Sequence, residues 1–363
     1  MLDPRIERLA DLLVNYSNRI EKNEKVLIII YGLAGLPLGK EIYKKCVALG
    51  AHTKYELRDA SFGRIFFENA QNHQLDYCSE SSIADAHETD AMFQIIADDN
   101  KQEMAKVDAQ KMIRKRKATK KLSDILHEKK WVLYEYPTAA GAQDAGMSLE
   151  AWEDFVFDAC LTDWEAASKE QEVLKKIMEA TKEVHLVADG TDLKVNIEGQ
   201  KSVKCCGRQN MPDGEVFTSP IKTGVNGYIT YNTPTQYMNK DFNWIKLTFK
   251  DGKVVESDAD KNQKELEEIL DTDDGSRYLG EFAFGTNKNI QIPVKSILFD
   301  EKIGGSNHMA LGKCYEEAPN GNDSNIHWDL ILRHEHANGK VYLDGELVQE
   351  KGVWLHPELK MFN

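Results

Sequence analysis

The chain has 363 residues, 41% of them hydrophobic and 29% charged, a balance expected of a globular protein in water. Its formal net charge of −14, from 46 basic and 60 acidic residues, argues against general nucleic-acid binding and against docking on anionic lipid. That field suits an enzyme that gathers metal cations or free amino termini. No apolar run is long enough to span a bilayer, and a polar helix pattern stands where a signal peptide would begin, so the expected location is cytoplasmic. The six cysteines, Cys46, Cys78, Cys160, Cys205, Cys206 and Cys314, show no Cys-x-x-Cys and read as reduced thiols, with the adjacent pair Cys205-Cys206 as buried small residues.

In chain order, Asp3-Pro4 marks a helix start, and Ile6, Leu9, Leu12, Leu13 and Ile20 continue at helical spacing. Residues 25–31 (KVLIIIY) form a buried strand. A Gly/Pro-rich turn leads to a helix from about 38 to 49 and a strand near 53–57. Strands at 93–96 and 131–136 flank a highly charged helix pattern at about 101–128. Strands alternating with helices predict an α/β domain with a mostly parallel sheet over residues 1–183. The turn from Gly32 to Lys40 does not make a phosphate loop, because Ala34 and Glu41 stand where glycine and Ser or Thr are required. The basic run 114–121 lacks interleaved aromatics and reads as a solvated helix face.

Beyond Val184 the texture changes to short alternating segments at 185–188, 193–197, 228–231, 244–249, 254–255, 290–292, 297–299 and 341–343. Turn pairs such as Asp189-Gly190, Asp251-Gly252, Asn338-Gly339 and Asp344-Gly345 punctuate them, and one helix, 262–270, interrupts. A mainly antiparallel β (α+β) domain is expected over residues 184–363.

The stretch 325–332 (NIHWDLIL) alternates as a strand. Ile326, Trp328, Leu330 and Leu332 share an apolar face, and Asn325, His327 and Asp329 share the other. An imidazole and a carboxylate two residues apart on one face make a platform for a divalent metal. The plainer reading is a half-buried strand whose polar face meets water. Three further stretches carry donors: Glu215 among β-formers after a Pro-Asp-Gly turn, Glu281 beside Gly280, and His308 ahead of Tyr315. Two imidazoles, three carboxylates and a phenol form the mix expected for two divalent ions sharing a carboxylate. Spacing alone does not establish that they converge. His334 and His336 compete with His327 as ligands, although the Asn338-Gly339 turn just after them places them more naturally at a hairpin end.

The motifs GEVFTSP (214–220), LGEFAFG (279–285), NHMALGKCY (307–315) and NDSNIHWD (322–329), with YPTAAGAQDAGMSLEAWEDF (136–155), resemble the thermophilic metallo-aminopeptidase family of the aminopeptidase T and aminopeptidase S type. The resemblance implies a two-domain cytoplasmic exopeptidase, a homodimer, with two zinc, cobalt or manganese ions per chain in a carboxy-terminal metal site. It implies ligands at Glu215, Glu281, His308, Tyr315, His327 and Asp329, with Glu281 and Tyr315 catalytic: Glu281 bridging the ions, Tyr315 ligating weakly or donating to an oxyanion. Substrates would be peptides with a free amino terminus, cleaved through a metal-activated water, and no nucleic acid or membrane is involved. The base would be a carboxylate ligand shifting off its ion or, failing that, Glu301. This chain departs from the pattern at Lys302, where Asn commonly follows Asp-Glu, at Gly214, where many members carry an acid, and in a shorter loop between His308 and His327. Two rivals share the fold: an iron(II) ring-cleaving dioxygenase of the dihydroxypyridine type, needing only His308, His327 and Asp329, and a catalytically silent binding protein.

Overall fold

Lys25–Tyr31 is the second strand of a five-stranded parallel sheet, between His52–Arg58 at one edge and the central Ala91–Ile96, which passes the order on to Lys130–Glu135 and the two-residue strand Asn210–Met211. Its five central residues are all buried, as a strand covered on both faces requires. The computed structural model describes residues 3–238 and 240–363. They divide into two compact units, Met1–Thr162 with Gly207–Pro212, and Asp163–Cys206 with Asp213–Asn363.

In the first unit the helix Pro4–Leu12 opens as read, with the Asp3 side chain accepting from Arg5 N–H. The turn after Lys25–Tyr31 is structural. Gly32 sits at φ 94°, and a Cβ there would meet the Ala97 carbonyl oxygen at 2.1 Å. The charged helix is shorter than the pattern at 101–128 suggests, spanning Ala109–His127. Asp108 caps it by accepting from Gln110 N–H at 2.8 Å, and the residues before it form turns.

The second unit begins earlier than the 183/184 division expected from sequence texture. The helix Trp164–Ala180 belongs to it through its side chains: Gln171 Nε2 donates to the Cys205 carbonyl at 2.8 Å and to Thr286 Oγ1 at 3.1 Å, and Glu179 Oε1 accepts from Ser202 N–H. Two large antiparallel sheets follow, beside a two-stranded one. The larger has eight strands, and the smaller has five in the order His327–Leu332, Asn307–Gly312, Leu279–Gly285, Glu215–Thr218 and Ser202–Cys205. Phe282, Phe284, Met309, Leu311, Trp328, Leu330, Leu332 and Val216, from the smaller sheet, join a large core with Leu186, Ile229, Leu247 and other residues of the larger one.

Two expected strands are absent. Residues 290–292 carry no strand, and Ile297–Asp300 is a single helical turn. Pro293 supplies no donor to a ladder there, and Asp300 Oδ1 instead accepts from Val294 N–H at 2.7 Å, closing the loop on itself.

Candidate metal centre

The smaller sheet buries one face in the core, so period-two alternation commits its other face to the remaining residues. Glu215 and Phe217, Glu281 and Ala283, His308 and Ala310, and His327 and Asp329 come to that face from four strands. Register then places them as neighbours. Ala310 lies between Glu281 on one strand and Asp329 on the next, and Ala283 between Phe217 and His308. The two alanines leave room above the sheet where larger side chains would fill it.

The five donors converge. His308 Nε2 stands 3.0 Å from Glu215 Oε2 and 3.4 Å from Glu281 Oε1. His327 Nε2 stands 3.4 Å from Glu281 Oε2 and 3.5 Å from Asp329 Oδ1. One donor atom each from Glu215, Glu281 and His308 lies within 4.8 Å of the others, and the same holds for Glu281, His327 and Asp329. Glu281 belongs to both groups and turns one oxygen toward each.

The donor chemistry suits cations. Glu215 Oε2 is buried, 3.0 Å from His308 Nε2, with hydrogen-bonding capacity left over for a cation. His327 Nδ1 donates to the Lys313 carbonyl at 2.8 Å, which fixes the ring and leaves Nε2 facing the carboxylates. Burial opposes protonation of His327, but Asp329 and then Glu281 outweigh it and push its pKa up to about 12. His308 is likewise raised, against its burial, by Glu215 and Glu281. Asp329 is lowered against its burial, chiefly by His327. An enclosed field this negative attracts positive charge.

Tyr315 packs beside the cluster, its ring 4.8 Å from that of His327 and 5.4 Å from that of Phe217. It keeps 45% of its surface exposed, and so stands at the mouth of the cluster. His334 and His336 are not part of it. They lie on a short 3₁₀ turn, not a strand: His334 is buried against Asn307 Oδ1 at 2.7 Å, and His336 is exposed beside Glu335.

Lys302, visible in the sequence only as a departure, proves to be part of the cluster. Its ammonium is fully buried, 2.6 Å from Glu301 Oε1, 2.7 Å from Glu215 Oε1 and 3.8 Å from Asp213 Oδ1. These acids hold it charged despite burial. Glu215 is correspondingly lowered, against its burial, by Lys302 and then His308. Burial first, then Glu215 and Asp329, push Glu301 up to about 8, even with Lys302 opposing. A lysine amid β-formers and acids carries no local signal of burial. Asn322 was also missed: its Nδ2 donates to the Gly275 and Gly312 carbonyls, securing the loop between His308 and His327.

The sequence profile of the thermophilic metalloprotease (M29) family matches residues 2–354. The chain belongs to this family. Membership in M29 implies use of a divalent metal. Aminopeptidase AmpS of Bacillus subtilis is 37% identical to this M29 chain over 145 residues, 36% of the chain and 35% of AmpS. Aminopeptidase PepS of Streptococcus thermophilus is 27% identical over 266 residues, 62% of the chain and 63% of PepS. The matches thus span from about a third to less than two thirds of these curated relatives. In fold, the chain is similar to AmpT from Thermus thermophilus, with a TM-score of 0.84 over 98% of this chain and all of that one, at 23% identity. It is more distantly similar to 2,5-dihydroxypyridine dioxygenase from Pseudomonas putida, with a TM-score of 0.63 over 98% of each chain at 13% identity.

Proposed function

We propose that this M29 member is a metal-dependent aminopeptidase, in which Glu215, Glu281, His308, His327 and Asp329 hold two divalent ions, with Tyr315 at their edge. One observation carries the reading: the two oxygens of Glu281 face different imidazoles at 3.4 Å each, as a carboxylate shared by two cations would. When bound, such a pair supplies Lewis acidity toward a carbonyl and acidity to a water.

The chain's own groups then do the rest. The acidic cluster receives the ammonium of a peptide's free amino terminus. Glu301, one of its oxygens within 4.8 Å of donor atoms of His308 and Asp329, takes a proton from the attacking water and returns it to the leaving amine. Tyr315, half-exposed beside His327, offers its hydroxyl to the developing oxyanion. His327 keeps its orientation through the Lys313 carbonyl. We place the enzyme in the cytoplasm as a homodimer, with zinc, cobalt or manganese as the metal. Cys46, Cys78, Cys205 and Cys314 are free thiols, in keeping with a reducing compartment. The edge strand His52–Arg58 exposes Tyr55 and Leu57 in keeping with a partner copy.

The test is hydrolysis of aminoacyl-anilides by protein freed of metal and reloaded with cobalt, manganese or zinc. Turnover that depends on the added ion and vanishes in Glu281→Gln is expected. One iron per chain, with oxygen uptake on a dihydroxypyridine and no anilide hydrolysis, would favour the dioxygenase reading instead.

A further inference from the structure

Beside the two donor groups that share Glu281 lies another of the same character. Donor atoms of Cys205, Asp213 and Glu215 lie within 4.8 Å of one another, and all three residues belong to the second unit. A thiol and two carboxylates so placed would by type accept a divalent cation. The Lys302 ammonium is already seated against this group, touching Glu215 and Glu301 and facing Asp213. It reaches there from the turn after Ile297–Asp300, its backbone N–H donating to the Phe299 carbonyl and its own carbonyl accepting from Asn287 N–H. No part of the side chain meets solvent, so it can neither touch a substrate nor leave.

We propose that Lys302 is a tethered cation that fills a third cation position of this centre and thereby limits how many metal ions it takes up. This rests on the two-ion reading above. Charge supports it: Asp213, Glu215, Glu281 and Asp329 are four acids of the cluster, and the lysine beside two of them supplies positive charge that a further ion would otherwise bring. Geometry supports it too. With Oε1 of Glu215 held by the ammonium, only Oε2 faces His308, so this glutamate can serve one ion and not two. Lys302 is a positioning residue.

The experiment is to count ions in Lys302→Met and in the wild-type chain, each equilibrated with manganese(II), by elemental analysis, and to follow thermal unfolding with and without manganese. The variant is expected to hold one more ion per chain than the wild type, and its unfolding temperature to rise more on adding manganese. Equal counts and equal shifts would overturn the proposal, as would a variant that manganese cannot keep folded. A second variant, Asp213→Asn with Lys302→Met, loses one charge of each sign and removes a donor of the third group, so it should return to the wild-type count. An extra ion there would also count against the proposal. The wild-type count alone judges the two-ion reading, and the difference between variant and wild type judges the role of Lys302, so the two can fail separately.

Discussion

Gly280 precedes Glu281 at an irregularity in pairing between Leu279–Gly285 and Asn307–Gly312. A Cβ at this position would stand 2.4 Å from the Lys313 carbonyl oxygen and 2.5 Å from that of Gly312. Ordinary contact begins near 3.4 Å, so Gly280→Ala forces the backbones apart by about 1 Å. The Lys313 carbonyl is the acceptor that orients His327 at 2.8 Å, and a displacement of that size breaks the bond or turns the ring. Loss of such an orienting partner typically costs about 10–100-fold in metal affinity, or roughly 1.4–2.7 kcal/mol. Overpacking adds a stability loss of about 1–3 kcal/mol. Metal affinity is read by competition with a chelator, and circular dichroism shows whether the fold persists. A folded Gly280→Ala protein with wild-type affinity would refute the claim that this carbonyl sets the histidine.

Burial pushes the His334 pKa down to about 4, so the folded protein refuses a proton that the unfolded chain accepts below its ordinary value of 6.5. Stability from this group is complete above pH 6.5 and falls as pH drops through the window to 4, by about 3 kcal/mol in all. Denaturant melts across pH should show that slope in the wild type and its loss in His334→Gln; parallel curves would contradict it. Glu301→Gln should lower kcat by about 10²–10⁴-fold while leaving metal content unchanged, the mark of a proton carrier in place of a ligand. A drop in metal content of the same extent as activity would instead make Glu301 a ligand. Ala310→Val, which puts a larger side chain between Glu281 and Asp329, should reduce metal uptake with the fold intact, as measured by elemental analysis.

The donors were legible where alternation was strict. In residues 325–332 one face is apolar throughout, and Trp328, Leu330 and Leu332 do enter the core while His327 and Asp329 face away from it. Glu281 was harder, because Leu279–Gly285 is buried on both faces and its polar member carries no exposure pattern. Its place opposite Ala310 depends on register and on a local irregularity, which a single sequence does not encode at short range. Lys302 and Asn322 were legible only as composition, since each acts across the fold, on Glu215 and on the Gly275 and Gly312 carbonyls. The parallel sheet followed from alternating strands and helices. The loop around 290–300 did not follow, because apolar Ile290 and Ile297 mimic strand residues while Asp300 folds the segment back on itself.

The most direct measurement is an anomalous-scattering map, with elemental analysis, on protein purified without chelator. Two peaks per chain are predicted, one among Glu215, Glu281 and His308 and one among Glu281, His327 and Asp329. A single peak that leaves Glu281 uncoordinated, or none near these side chains, would contradict the account.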